Sequence, residues 1–347
     1  MKELSHNDWI NSLRVLALFA VIIIHVSAPA VTSQYFTDNS SWWIANFYNS
    51  LCRPCVPIFV MITGSLLLPK KDGTKEFLSK RIKKIIYPFI FWSQIYLLYQ
   101  LALRIMQGEY PNVISLLLLE IRQIVTGTSV HLWYVYMLLG LYLTIPIIKP
   151  WIQNASNKEI GYFLVIWVFT LAINVIRPSG PIDLQLLYFS GYIGYLVLGY
   201  YLAHRFTASK IILRLSALFF VIGFLVTFFG TFYINKHNLL TEYDFYDFLS
   251  INVALCASTV FLLFKEKYIS FKGAILSTIV KKINAYSFGI YLSHMLLLAF
   301  LFQIRIDYRI FGPATGIPFT AIICLILSLI IVKIINVLPY GKYISGN

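Results

Sequence analysis

Apolar runs of about twenty residues recur along the whole chain, separated by short polar segments, and about twenty residues at ~1.5 Å rise is what crosses a hydrocarbon core. Strict alternation over about ten residues, the mark of a barrel strand, is not the pattern. The runs predict ten spanning helices, at 10–30, 42–68, 84–106, 130–149, 160–178, 186–204, 211–235, 246–264, 283–303 and 312–336. A further amphipathic piece, Val113 to Val125, is too short to span and is expected in the interface or as a re-entrant segment. The expectation is an all-α polytopic membrane protein, a single domain over 1–347 with no appended soluble domain and no internal repeat. The first apolar run is long and lacks a small-residue cleavage site, so it stays as the first span.

Charge adds an orientation. Alternate loops hold Lys70 to Lys84, then Lys149 and Lys158, then Arg205, Lys210 and Arg214, then Lys265 to Lys282. With the two ends of the chain, one side carries 20 of the 28 lysines and arginines. The other side carries six, leaving Arg14 and Arg53 inside helices. By the positive-inside rule both termini are expected in the cytoplasm.

Composition agrees. The chain is 59% apolar and 12% charged, with mean hydropathy +0.75, which excludes an ordinary soluble domain. The formal charge of +14 is mostly this orientation signal, so no nucleic-acid partner is implied, while membrane lipids are. Cys52, Cys55, Cys256 and Cys324 are too scattered for a disulfide framework, and one CxxC in a membrane helix is a weak redox or metal signal; no metal is expected.

Ionisable groups inside spans are the candidate chemistry, because each costs several kcal/mol unless it meets a partner or a wet cavity. Arg14 and His25 are eleven residues apart, hence about 20° apart around the first helix and ~16 Å apart along it. A cavity along that face would connect both sides of the membrane. Two plainer readings stay open: Arg14 snorkelling to headgroups and His25 as a hydrogen-bonded core residue.

Six further residues join them. Arg53 lies in the second span, either facing a ligand or satisfied by carbonyls freed at Pro54 and Pro57. Lys80, Arg81 and Lys84 precede the third span, at whose amino terminus the macrodipole disfavours cations and welcomes an anion. His131 is expected at the interface beside the belt residue Trp133. His294 sits mid-span in "SFGIYLSH", lining a cavity or packing between helices. The loop His237 to Phe248 mixes Glu242, Asp244 and Asp247 with aromatics, which suits carbohydrate hydroxyls.

The ordered set of Arg14, ten intervening residues and His25, "VPIFVMITG", the basic run before "YP", "HLWYV", "GYIGYLVLGYYL" and "SFGIYLSH" resembles acyltransferase family 3, the integral membrane O-acyltransferases. The resemblance covers essentially the whole chain. It implies transfer of an acyl group, usually acetyl from acetyl-CoA, onto a hydroxyl of an extracytoplasmic or lipid-linked cell-surface glycan, in a bacterial-type inner membrane. It implies His25 as the catalytic base and Arg14 as support for donor or fold. Acyl-CoA is then a co-substrate rather than a tightly bound cofactor, its phosphates held by Lys80, Arg81 and Lys84. Arg53, His131 and His294 become candidates for substrate binding. Two positions depart from the family's pattern: Lys84 stands where an arginine is common, and Asn11 where an aspartate is.

Other classes compete. A transporter or flippase for a lipid-linked sugar, or an export subunit, would also use ten helices with intramembrane charges. A non-catalytic partner in a surface-polymer complex would keep the fold without the chemistry.

Overall fold

The computed structural model describes residues 8–32, 39–109, 129–174, 191–239, 244–266, 269, 271 and 273–346. Among these there are helices and turns and no strand. The helices are α1 (Asp8–Val31), α2 (Ser40–Cys52), α3 (Cys55–Leu67), α4 (Thr74–Met106), α5 (Trp133–Asn154, entered through a 3₁₀ turn at Val130–Leu132) and α6 (Asn157–Asn174). They continue as α7 (Ile193–Tyr200, extended by a π turn at Tyr201–Arg205), α8 (Lys210–Lys236), α9 (Ile251–Lys265), α10 (Ala274–Ala285), α11 (Ser287–Gln303), α12 (Pro313–Val337) and the single turn α13 (Gly341–Ile344).

Local sequence sets several of these ends. The Asn39 side chain accepts from the Trp42 amide at 2.9 Å and starts α2. Ser156 and Glu159 form a reciprocal capping box at the start of α6: the Ser156 amide donates to the Glu159 carboxylate at 2.7 Å, and the Glu159 amide donates to the Ser156 hydroxyl at 3.3 Å. Ser209 caps α8 by accepting from the Ile212 amide at 3.3 Å.

Six helical segments are long and apolar enough to cross a membrane: Asp8–Val31, Ser40–Leu67, Thr74–Met106, Val130–Asn154, Lys210–Lys236 and Pro313–Val337. The pair α10 and α11 makes a seventh if it is taken as one broken span, and α9 is a shorter apolar helix of 15 residues. The chain is thus a multi-pass, all-helical membrane protein. Among the remaining expected spans, α6 opens on Asn157, Lys158 and Glu159, and the segment expected at 186–204 is described only from residue 191. Val113 to Val125 and Glu242 lie outside the described residues.

Three expected boundaries move. The second span is interrupted at Arg53 and Pro54, where the two prolines, Pro54 and Pro57, remove two backbone donors from the ladder. The eighth begins at Ile251 rather than near 246, and residues 244–250 form turns instead. The third begins at Thr74, so Lys80, Arg81 and Lys84 sit about two turns inside α4 and not at its amino terminus. The favourable end of a helix dipole fades within its first turn, so it does not reach Lys80, Arg81 and Lys84.

The helices group into two compact units. One holds residues up to Lys71, Ile147–Asn284 and Ile306–Ile322. Within it α3 packs on α7, α1 on α2 and α3, and α8 on α9. α3 and α7 run antiparallel at backbone contact: a Cβ on Gly64 would stand 2.0 Å from the Leu196 carbonyl oxygen, and one on Gly199 2.1 Å from that of Met61. Small residues at such a crossing are how membrane helices maximise dispersion contact. The other unit holds Asp72–Pro146, Ala285–Arg305 and the chain from Ile323. In it α11 and α13 pack against α4, and Gly289 lets the Ser345 carbonyl approach to where a Cβ would be 2.2 Å away.

Candidate active site

α1 carries Arg14 and His25 on one face, both half-buried. The face between them is not open. Leu18 and Val21 lie within about 40° of Arg14 around the helix and are 0% and 4% exposed. Packing there closes the continuous cavity that the shared face invited.

Arg14 is held from a distant part of the chain. Its Nη1 donates to Asn284 Oδ1 at 2.8 Å, and nearly two turns earlier on α1 Asp8 pairs with Lys281 of α10 at 3.9 Å.

His25 lies within electrostatic reach of the Arg53 guanidinium. Arg53 occupies the break between α2 and α3. Its Nη2 donates to Asn49 Oδ1, its Nη1 to the Tyr246 carbonyl at 3.2 Å, and its guanidinium lies 4.0 Å from the centre of the Tyr246 ring and 5.5 Å from that of Phe248. The carbonyls at the proline break are not its partners. The groups bonded to it or stacked on it are uncharged, the Asp244 carboxylate acts on it electrostatically, and its Nε is buried with no hydrogen-bond partner among the described residues.

The turns over Arg53 are fixed by polar groups in α2 and α9. The Tyr246 hydroxyl donates to Asn46 Oδ1 at 2.5 Å, and Ser50 donates to the same oxygen at 3.0 Å. Asn252 Nδ2 donates to the Phe245 carbonyl at 2.9 Å and to Thr227 at 2.8 Å. The Asp244 and Asp247 carboxylates accept from the Tyr246 and Leu249 amides at 2.8 and 2.9 Å, and the Asp244 charge acts on Arg53. Asn46, Asn49 and Ser50, at 0%, 1% and 3% exposure, were not among the residues picked from sequence. Their signal was present: Asn46, Asn49, Ser50 and Arg53 follow the i, i+3, i+4, i+7 spacing of one helical face.

A family model described as an acyltransferase domain, that of acyltransferase family 3, matches residues 7–333. The chain belongs to acyltransferase family 3. It is therefore a membrane acyltransferase. No curated protein matches the chain, and no solved structure does.

The other candidate residues of this acyltransferase lie in the second unit. His131, 2% exposed, is buried within the protein, while Trp133 is 38% exposed. The His131 ring stands edge-on to that of His294 with centroids 4.9 Å apart, and Tyr96 and Tyr291 lie 5.5 and 5.4 Å from it. His294 Nδ1 is 2.5 Å from the Tyr291 carbonyl, and the Tyr291 hydroxyl donates to the His131 carbonyl. Tyr96 donates to the Leu292 carbonyl at 2.9 Å and accepts from the Leu296 amide at 3.1 Å. A tyrosine hydroxyl is thereby inserted between the carbonyl and amide that an α-helix joins directly, one turn of α11 around His294. On α4, Lys80 is exposed and pairs with Glu76 at 2.5 Å, Arg81 is half-buried and Lys84 exposed. The four cysteines are free and buried.

Proposed function

We propose that this acyltransferase moves an acyl group, acetyl in our reading, from cytoplasmic acyl-CoA to a hydroxyl of an extracytoplasmic or lipid-linked cell-surface glycan, with His25 as general base. The observation that carries the reading is the Arg53 guanidinium, fixed at the break between α2 and α3 by the Tyr246 carbonyl and by Asn49, which also bonds the turn of α1 that bears His25. A sugar hydroxyl has a pKa far above neutrality, so its proton must leave as its oxygen attacks the thioester carbon, and a neutral imidazole is suited to take it. The carbonyl oxygen gains negative charge in that step, and a guanidinium held in fixed geometry stabilises it. As the C–S bond breaks, the imidazolium returns the proton to the departing thiolate. Base and donor are then ready for another turn.

In this reading the amino terminus is cytoplasmic, the membrane is a bacterial-type inner membrane, and Arg14 supports the donor from the cytoplasmic side. Lys80, Arg81 and Lys84 attract the coenzyme A phosphates as a basic patch on α4, with Lys84 acting as a point charge and not as a bidentate fork. His131 and His294 belong to the acceptor's side of the protein.

The test is incubation of membranes with acetyl-CoA labelled in the acetyl group, comparing wild type with His25→Ala and following label into glycan and lipid. Label transferred by wild type and lost by at least about a hundredfold in the variant is expected for a general base. Undiminished transfer by a folded His25→Ala variant refutes the role of His25. Movement of a lipid-linked sugar without covalent change would instead establish a transporter.

A further inference from the structure

Asn49 is 1% exposed and uses its whole carboxamide to join two elements. Its Nδ2 donates to Ser27 Oγ at 2.9 Å and to the Ile24 carbonyl at 3.2 Å. Its Oδ1 accepts from Arg53 Nη2. Ile24 immediately precedes His25 and Ser27 follows it by two, so one side chain ties the turn of α1 that bears His25 to the guanidinium of Arg53.

The network also fixes which way the amide points. Ser27 spends its only proton on the Ile23 and Ile24 carbonyls, at 2.9 and 3.2 Å, and can only accept from Asn49. A flipped amide would set its oxygen against two acceptors and its NH2 against a guanidinium, which only donates. The oxygen therefore faces Arg53.

We propose that Asn49 is a positioning residue for acyl transfer, fixing the Arg53 guanidinium relative to the His25 imidazole so that the cation meets the reacting carbonyl oxygen while the base takes the proton of the hydroxyl that attacks it. The proposal rests on the roles given to His25 and Arg53 above. Without Asn49, Arg53 keeps the Tyr246 carbonyl and ring but loses the bond that stops its planar fork from rotating. Misplacing a catalytic group by about 1 Å is enough to cost on the order of a hundredfold in rate. An asparagine suits this better than an aspartate, because a carboxylate would hold the fork equally well and cancel its charge.

The experiment uses the purified full chain in nanodiscs with labelled acetyl-CoA and the acceptor found in membranes. Asn49→Ala is expected to lower kcat about ten- to a hundredfold with donor and acceptor KM changed by less than about threefold. Asn49→Asp is expected to keep Tm at or above wild type while kcat falls at least as far. In an Arg53→Met background the further effect of Asn49→Ala is expected to shrink to under about threefold, since there is no guanidinium left to position. If Arg53→Met is too slow to measure, the behaviour of Asn49→Asp decides. Wild-type kcat in Asn49→Asp, or an Asn49→Ala loss equally large in both backgrounds, overturns the proposal and leaves Asn49 as a packing residue. A wild type without any acyl transfer overturns the functional reading itself, and this proposal with it.

Discussion

Replacing Gly64 by alanine tests how closely α3 approaches α7. A Cβ at that position would stand 2.0 Å from the Leu196 carbonyl oxygen and 2.7 and 2.8 Å from its carbonyl carbon and Cα. All three are backbone atoms, so no rotamer change relieves the overlap. Reaching an ordinary contact of 3.4 Å requires the helices to part by about 1.4 Å. A gap of ~1 Å already forfeits about half of each dispersion well of ~0.1–0.2 kcal/mol, so roughly forty atom pairs across the crossing lose about 2–4 kcal/mol. Alanine returns ~1 kcal/mol in helix propensity, leaving a net cost of about 1–3 kcal/mol, the range seen for overpacked cores. Lipid tails are as apolar as the side chains and offer no compensating hydrophobic gain. At Gly140 in α5 and Gly161 in α6 an added Cβ would meet nothing within 4 Å, and these two positions serve as controls. Thermal unfolding in one detergent is expected to rank Gly64→Ala below wild type by several degrees, with Gly140→Ala and Gly161→Ala at or above it. A Gly64→Ala protein as stable as the Gly161→Ala protein refutes the close crossing.

Two further outcomes follow from single contacts. Asn284→Ala removes the 2.8 Å acceptor of Arg14; hydrogen bonds to charged groups are worth ~1.5–3 kcal/mol, and on the proposed donor role the KM for acetyl-CoA is expected to rise about tenfold with kcat less affected, an unchanged KM counting against that role. In the turn between α11 and α12, hydrogen bonds and charge from Arg309 hold the Asp307 carboxyl below its usual pKa. A carboxyl depressed by folding stabilises above its unfolded pKa and loses that contribution as pH falls through the folded value. Hydrogen-exchange protection of residues 304–312, taken relative to the intrinsic rate at each pH, should therefore fall in acid in wild type and change little between pH 7 and acid in Asp307→Asn; identical profiles sink the idea.

The parts of this protein that sequence revealed are those governed by local pattern. A bilayer demands long apolar helices, so the runs around α1, α8 and α12 announced themselves, and 100° per residue was enough to put Arg14 and His25 on one face. The start of α4 was missed because hydropathy reads only the apolar part of a helix, while Thr74 to Lys84 is polar and still helical. α10 was passed over as a basic loop for the same reason. The partners of the buried cations were out of reach: Arg53 meets the Tyr246 carbonyl 193 positions away, and Arg14 meets Asn284 at a separation of 270. The stripe of Asn46, Asn49, Ser50 and Arg53 was legible at helical spacing, but asparagine and serine carry no charge and are cheaper to bury, so they draw less attention than an arginine or histidine.

Both intramembrane arginines of the first unit have an asparagine oxygen on the guanidinium, Asn284 for Arg14 and Asn49 for Arg53. For stability alone this is a poor choice, because a carboxylate would offset more of the cost of burying a cation. A carboxamide oxygen fixes the fork through a hydrogen bond yet leaves the full positive charge in place. That matters only if the charge has something else to meet. The packed turn at Leu18 and Val21 separates the two guanidinium sites along α1, so the same device is used twice at separate depths. In the proposed reaction the two anionic features of the chemistry are also separate, the phosphates of the donor and the oxygen of the reacting carbonyl. Guanidinium groups fixed by a neutral oxygen are what an enzyme for that reaction requires, and an arginine kept only for packing would gain from an aspartate in either place.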